Sequence, residues 1–445
     1  MKKILVLGAG HSAPYLIHHL LEHAAEAGTE ITVGDLDPAA AEARVAGHPR
    51  GRAIPFNLDD AEARRRELGN ADLVVHLLPP KLQGVLARYC LEHRCHMASA
   101  SYLAPEVAEM GDEAKARGVT LLCELGLDPG IDLMSAQKII EDAEAQGGAV
   151  ESFYSYGGGL PEPSFDGNPM RYCITWNPRN VAMAGELGAQ YLQDGTIKVQ
   201  PWHRMFGATW PVEVPGLGRF DAYPNRDSVS YRDTHGLPGV RTLIRGTLRY
   251  PGFCQAWHQV VRLGLPSEAL RIPTLGGMTW AQVLEMYLPP GDGTLRGRVA
   301  RTLDLREDDP SLDTLEWLGL FGDTTVDDGA RHPTDALVGL MARKLALPDG
   351  VRDLVVLHHE LEIAYGDRRE RVLSTLAHYG EPGGFTAMAK GVGLPLALGV
   401  ELLISGGLDQ PGCLGPTDAA VYGPVLDGLA RDGLAFTESV QTLDP

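Results

Sequence analysis

Over the first 126 residues, short apolar blocks alternate with stretches whose apolar positions recur at helical spacing. Residues 4–7 read as a buried strand, and residues 11–27 as a helix. Residues 31–33 form a second strand, followed by an Ala-rich helix after Pro38. Residues 53–56 and 72–78 are the third and fourth strands; 96–98 and 119–123 supply two more, each after a helical stretch. This rhythm predicts an α/β fold, a doubly wound parallel sheet of the Rossmann type with helices on both faces. Leu127-Asp128-Pro129-Gly130 breaks it, and Pro129 and Gly130 suit a turn into a helix over 131–145. Residues 152–156 alternate as a strand that Gly157-Gly158-Gly159 interrupts. Residues 200–264, rich in Pro, Gly and aromatics, suit strands and long loops, and 267–349 read as mostly helical. Strand character returns at 354–358, 360–364 and 372–376, and a long buried Ala/Gly/Leu-rich helix covers 386–405. The order predicts a first domain at 1–126 and a second α/β domain built from 127–265 and 350–425. A helical insertion domain at 266–349 splits it, and a terminal segment at 426–445 packs on the first domain.

Composition narrows the class. At 445 residues the chain exceeds one ordinary core, so two or three domains are expected. Hydrophobic content of 44% and charged content of 22% are those of a globular protein. No apolar run reads as the ~18 residues of a membrane span, and the first residues lack the long apolar segment of a secretory signal. The expectation is a cytoplasmic protein with no membrane partner. A formal net charge of −19 argues against a nucleic-acid partner, since phosphate binding needs local positive charge. Small acidic substrates remain compatible, because they need only one or two placed arginines. Six scattered cysteines suggest reduced, mainly buried thiols. Cys90, His93, Cys95 and His96 lie close in sequence, but a helix end followed by a strand would not aim them at one ion. No metal site is expected.

The first chemistry lies at Gly8-Ala9-Gly10-His11-Ser12-Ala13, directly after a strand and opening a helix. Gly8 permits a tight turn, Gly10 lets a pyrophosphate approach the backbone, and Ala13 allows close helix–strand packing. The helix N-terminus then offers its N–H groups to the phosphates. Asp35 ends the second strand about 20 residues further on, where a carboxylate reads the adenosine ribose and repels a 2′-phosphate. Asp37 is the competing residue. The cofactor expected is NAD(H), with NADP(H) possible. Leu78-Pro79 and Ser99-Ala100-Ser101-Tyr102 follow the fourth and fifth strands at their carboxyl ends, where open α/β sheets bind ligands.

Glu124-Leu125-Gly126-Leu127-Asp128-Pro129-Gly130-Ile131-Asp132 resembles the saccharopine dehydrogenase family. Ser101-Tyr102, residues 155–161, 223–228, 245–250, 317–321 and the glycine-bearing stretch 391–399 are similar to it as well. The resemblance implies a Rossmann domain, an α/β domain for substrate binding and dimerisation, a helical domain, and a homodimer. It implies an oxidoreductase of CH–NH bonds that interconverts saccharopine with L-glutamate and 2-aminoadipate 6-semialdehyde through an imine. By position, Ser101, Tyr102, Asp128, Arg226, Thr247, Leu248 and Arg249 match the family's substrate-contacting segments. Asp128 and Tyr102 are candidates for proton transfer. The residues agree with this: arginine forks bind carboxylates through paired hydrogen bonds, and Asp128 suits either an ammonium or an N-cap. Two departures stand out, an acidic region after the second strand and Gly157 where the family carries a cysteine. Alternatives are a related imine reductase for another amine/semialdehyde pair, similar to carboxynorspermidine dehydrogenase, and a non-catalytic NAD(H)-sensing protein.

Overall fold

The computed structural model describes residues 1–10, 12–184, 186–366 and 368–443. His11, one of the cofactor-site candidates, lies outside the described residues. The chain divides into two compact units. One comprises Met1–Gly147 and Leu376–Thr437; the other comprises Gly148–Thr375 and the segment from Glu438 onward.

The first unit begins β1(Lys2–Leu7), α1(Pro14–Glu22), β2(Thr29–Asp35), α2(Pro38–Val45), β3(Gly51–Pro55), α3(Ala61–Leu68) and β4(Leu73–His76). It continues α4(Gln83–His93), β5(His96–Ser99), α5(Pro105–Ala108), α6(Gly111–Arg117), β6(Thr120–Leu122) and α7(Ile131–Ala145). Its seven-stranded sheet runs β3-β2-β1-β4-β5-β6 and ends on the strand Gly412–Leu414, with every pair parallel. Residues 4–7 and 73–76 are buried without alternation, as strands covered on both faces must be. Strand order reverses between β1 and β4, the switch point at which such sheets bind ligands. Asp37 and Asp60 cap α2 and α3 by accepting backbone N–H bonds.

The second unit holds a mixed nine-stranded sheet. Its path runs Trp210–Val214, Gly218–Pro224, Thr242–Arg249, Ala149–Pro161, Asp353–Tyr365, Arg368–Tyr379 and Thr437–Leu443, with Ala189–Gln193 and Thr196–Gln200 paired off it. Beside it one apolar core joins Trp257 of the Phe253–Arg262 helix to Trp280, Leu315 and Leu337.

Several sequence expectations change. The helix over 131–145 belongs to the first unit, as does Ala387–Ser405. The former packs on the Ala419–Arg431 helix, and the latter on α1 and β5. Residues 266–349 share a core with Tyr172, Phe206 and Tyr223 and form no separate body. Thr437–Leu443 edges the second sheet, where the sequence suggested packing on the first domain. Gly157-Gly158-Gly159 do not interrupt their strand, because Leu357, Val356 and Val355 pair across them. By length and composition the Ala387–Ser405 helix could cross a membrane, contrary to the sequence reading; 72% of its apolar window is buried, which makes it a core helix here.

Candidate active site

The site at the switch point is built from the turn after β1. Gly8 has φ +110, and a Cβ there would lie 2.7 Å from the Leu77 carbonyl oxygen, so only glycine fits between the ends of β1 and β4. A Cβ on Gly10 would meet nothing within 4 Å, which leaves its backbone open to an approaching ligand. Ala13 is buried and is the N-cap residue of α1; its side chain makes no cap hydrogen bond among the described residues, and Pro14 occupies the first turn. Ser12 is half-buried beside it. An uncapped helix start behind a glycine turn is a receptor for phosphate. The residues present therefore fit a dinucleotide.

Asp35 does something the sequence did not foretell. Its Oδ2 accepts the Ala9 N–H at 2.7 Å and its Oδ1 accepts the Asp37 N–H at 2.9 Å. Both oxygens thus brace the turn, while Asp37 caps α2 through Ala39. Arg44 of α2 donates from Nε to the Ala9 carbonyl at 3.2 Å, which puts a cation beside the same turn.

At the carboxyl ends of β4 and β5, Leu78 is half-buried, Pro79 exposed and Ser99 fully buried. The Ser99 Oγ accepts from Ser101 N–H at 3.1 Å and from Gln83 Nε2 at 3.3 Å. Its own hydrogen is then left for His76 Nδ1, 3.1 Å away, which makes His76 the neutral tautomer protonated at Nε2. Burial pushes the His76 pKa down to about 4. Gln83 Oε1 accepts Ala104 N–H at 2.8 Å and Glu124 Oε1 accepts Leu103 N–H at 3.1 Å. The segment carrying Ser101 and Tyr102 is thereby held along its length.

Tyr102 donates its hydroxyl hydrogen to Asp128 Oδ1 at 2.9 Å. Asp128 is not the N-cap of α7. That helix starts after Gly130, whose N–H is accepted by the buried Asp132 carboxylate at 2.8 Å. Gly130 has φ +147, and a Cβ on it would lie 2.0 Å from the Gly126 oxygen. The Leu127-Asp128-Pro129-Gly130 turn is therefore a fixed platform for Asp128.

In the second unit, Thr247, Leu248 and Arg249 end the Thr242–Arg249 strand. Thr247 is half-buried and Leu248 fully buried. Arg249 is 4% exposed. Its guanidinium carbon lies 4.8, 5.2 and 5.8 Å from the rings of Tyr172, Phe253 and Tyr223. Nη1 donates to the Leu248 carbonyl at 2.8 Å, and Nε meets no partner among the described residues. Arg226 is exposed, with φ +48, in the loop after Gly218–Pro224. The structure thus gathers Ser99, Ser101, Tyr102 and Asp128 in one unit, and Thr247, Leu248 and Arg249 on one strand of the other.

Sequence reading missed His76, Gln83, Arg44 and the ring of Tyr172, Tyr223 and Phe253. His76 had a signal, a polar residue closing an otherwise apolar strand; the aromatic ring had none, since its members are far apart in sequence.

The saccharopine dehydrogenase NADP binding domain matches residues 4–122, and the saccharopine dehydrogenase C-terminal domain matches residues 126–434. The chain is 31% identical over 452 residues to the NADP(+), L-glutamate-forming saccharopine dehydrogenase of Schizosaccharomyces pombe, covering 99% of each. It is 34% identical over 449 residues to the mitochondrial alpha-aminoadipic semialdehyde synthase of Mus musculus, covering 98% of this chain and 47% of that protein. The chain thus spans about half the length of the semialdehyde synthase it matches. Apo saccharopine dehydrogenase (L-Glu forming) from Saccharomyces cerevisiae aligns over 100% of both chains with a TM-score of 0.87 at 30% identity. The homospermidine synthase of Legionella pneumophila, solved with NAD, aligns over 100% of this chain and 92% of its own with a TM-score of 0.56 at 11% identity, which shows a shared fold.

A parallel sheet with a glycine turn at its switch point defines a dinucleotide-binding class of fold. The chain belongs to the saccharopine dehydrogenase family.

Proposed function

We propose that this chain interconverts saccharopine with L-glutamate and 2-aminoadipate 6-semialdehyde. The observation that carries the reading is Arg249, a buried guanidinium among three aromatic rings whose Nε has no partner among the described residues. A buried cation of this kind calls for an anion, and saccharopine carries three carboxylates. Arg226, Thr247 and Leu248 are assigned to the substrate with Arg249, as are Ser101, Tyr102 and Asp128.

A bound nicotinamide accepts or returns the hydride. In the oxidative direction the hydride leaves the CH–NH carbon next to the bridging nitrogen, and the resulting imine adds water. The C–N bond then breaks to release glutamate and the semialdehyde, with one proton set free. Asp128 and Tyr102 are assigned to the proton transfers. Asp128 already accepts the Tyr102 hydroxyl, so a proton taken up at the Tyr102 oxygen can be matched by passage of the hydroxyl hydrogen to the carboxylate. The braced loop holding Tyr102 limits misalignment, on which such rates depend steeply.

Both NAD(H) and NADP(H) are proposed as coenzymes. Arg44 beside the glycine turn favours a 2′-phosphate, and Asp35 opposes one by charge while its oxygens brace the turn. A homodimer, implied by the family likeness, is part of the proposal and is checked by light scattering.

The test is reduction of NAD+ and NADP+ by the purified chain with saccharopine at alkaline pH. Steady turnover with either supports the reading. Tight binding of a coenzyme without any saccharopine-dependent reduction overturns it and favours a non-catalytic sensor.

A further inference from the structure

Away from these residues, α1 and the Ala387–Ser405 helix hold three metal-ligating side chains together. Gly393 makes this possible: a Cβ there would lie 2.7 Å from the Leu16 backbone nitrogen, so the two helices touch backbone to backbone. Two turns further along, Glu401 meets the end of α1. His19 in the last turn of α1 and His23, its C-cap residue, stand four positions apart, with ring centroids 4.3 Å apart and planes inclined by 32°. His19 Nε2 lies 2.9 Å from Glu401 Oε1. One ligand atom from each of His19, His23 and Glu401 falls within 4.8 Å of the others.

A second feature concerns the orientation of a ring. His23 Nδ1 is 2.8 Å from the His19 carbonyl oxygen, an acceptor only, so Nδ1 carries the hydrogen and Nε2 keeps its lone pair. Metal-binding histidines show this arrangement, with the far ring nitrogen held by a backbone carbonyl. His19 is buried, Glu401 half-buried and His23 exposed, so an ion could enter from the solvent side.

We propose that His19, His23 and Glu401 form a binding site for a divalent transition ion of the zinc class. Two imidazoles and one carboxylate are a ligand set suited to such an ion. Ligand atoms bound to one tetrahedral ion sit about 3.3 Å apart, within reach by small side-chain rotations. Binding takes the His19 Nε2 lone pair, so the ring hydrogen moves to Nδ1; the contact with Glu401 is replaced by two bonds to the ion, and a coordination position is left for water. The ion would tie the helix that opens at the glycine turn to the core helix behind it.

The test is titration of the full chain, stripped with chelator, with Zn2+ by calorimetry and with Co2+ by visible absorption. One ion per chain is expected, together with a rise in melting temperature on adding Zn2+. His23→Ala and Glu401→Gln are each expected to weaken binding by about tenfold or more and to remove the melting shift. His93→Ala, near Cys90 and Cys95, is expected to leave both unchanged. Absence of saturable binding overturns the proposal, as does binding that survives both His23→Ala and Glu401→Gln or is lost in His93→Ala.

Discussion

The Tyr102 hydroxyl and the Asp128 carboxylate form a 2.9 Å hydrogen bond, and neither partner is free to drift. Tyr102 sits on a segment held through Ser99, Gln83 and Glu124, while Asp128 rides on a turn closed by Gly130 and Asp132. If the pair moves protons, Asp128→Asn keeps the shape and loses the base. The expected outcome is a kcat about 10²-fold lower with unchanged coenzyme affinity. Steady-state rates with a parallel fluorescence titration of the coenzyme check this. A change confined to the substrate KM would rule out the proton role.

Arg249→Met separates a binding cation from a structural one. Methionine fills the space between Tyr172, Tyr223 and Phe253 without a charge. Replacing a buried charge by an apolar side chain of similar size is often neutral or stabilising. The melting temperature should therefore hold or rise. The KM for saccharopine should rise about 10- to 100-fold, as expected for a lost charge-assisted hydrogen bond. A large fall in melting temperature with an unchanged KM would show that Arg249 serves the core alone.

The two glycines of the first turn should respond differently. Gly8→Ala forces a Cβ to within 2.7 Å of the Leu77 oxygen at φ +110, at a cost of about 1–3 kcal/mol; lower melting temperature and weaker coenzyme binding should appear together. Gly10→Ala meets no neighbour. Its melting temperature should be unchanged while coenzyme affinity falls about tenfold, because only the approaching ligand meets the new methyl. Thermal melts with and without coenzyme distinguish the two; equal behaviour would remove Gly10 from the site.

Much of this was legible in the chain, for reasons that particular residues show. Residues 4–7 and 73–76 announced central parallel strands because burial on both faces removes alternation, and Gly8 marked the turn because no other residue tolerates it. Asp35 was picked out by position, but its bonds to Ala9 and Asp37 depend on how the turn folds back, which spacing does not encode. Asp128 does not take the N-cap role considered for it, since the helix starts beyond Gly130, which is itself the N-cap residue and gives its N–H to Asp132. Domain limits were least legible. Helices 131–145 and 387–405 are assigned by what they pack against, and an apolar face does not name its partner.

Asp35→Ala follows from the first of these differences. Both carboxylate oxygens hold the turn, so their loss should loosen it for every dinucleotide. Affinity for NADH and NADPH should fall together, by about tenfold, the equivalent of one charge-assisted bond. Parallel titrations decide the matter: a fall for NADH with a gain for NADPH would mean that the carboxylate reads the ribose.

Acid should weaken the fold through its buried histidines. Burial pushes His76 down to about 4 and His235 and His359 to about 3, with the Arg245 charge adding to the effect on both. In the unfolded chain these rings take up protons near pH 6.5, whereas the folded chain resists until much lower pH. Unfolding therefore binds protons across that interval, and stability falls as pH drops from about 6.5 toward 4, with no contribution from these groups above it. For His76 alone the loss reaches roughly 3 kcal/mol by pH 4. Urea unfolding at a series of pH values should show this slope, and His76→Gln should be less stable at neutral pH yet lose less stability on acidification. A slope unaffected by His76→Gln would mean that the ring is not held neutral by burial.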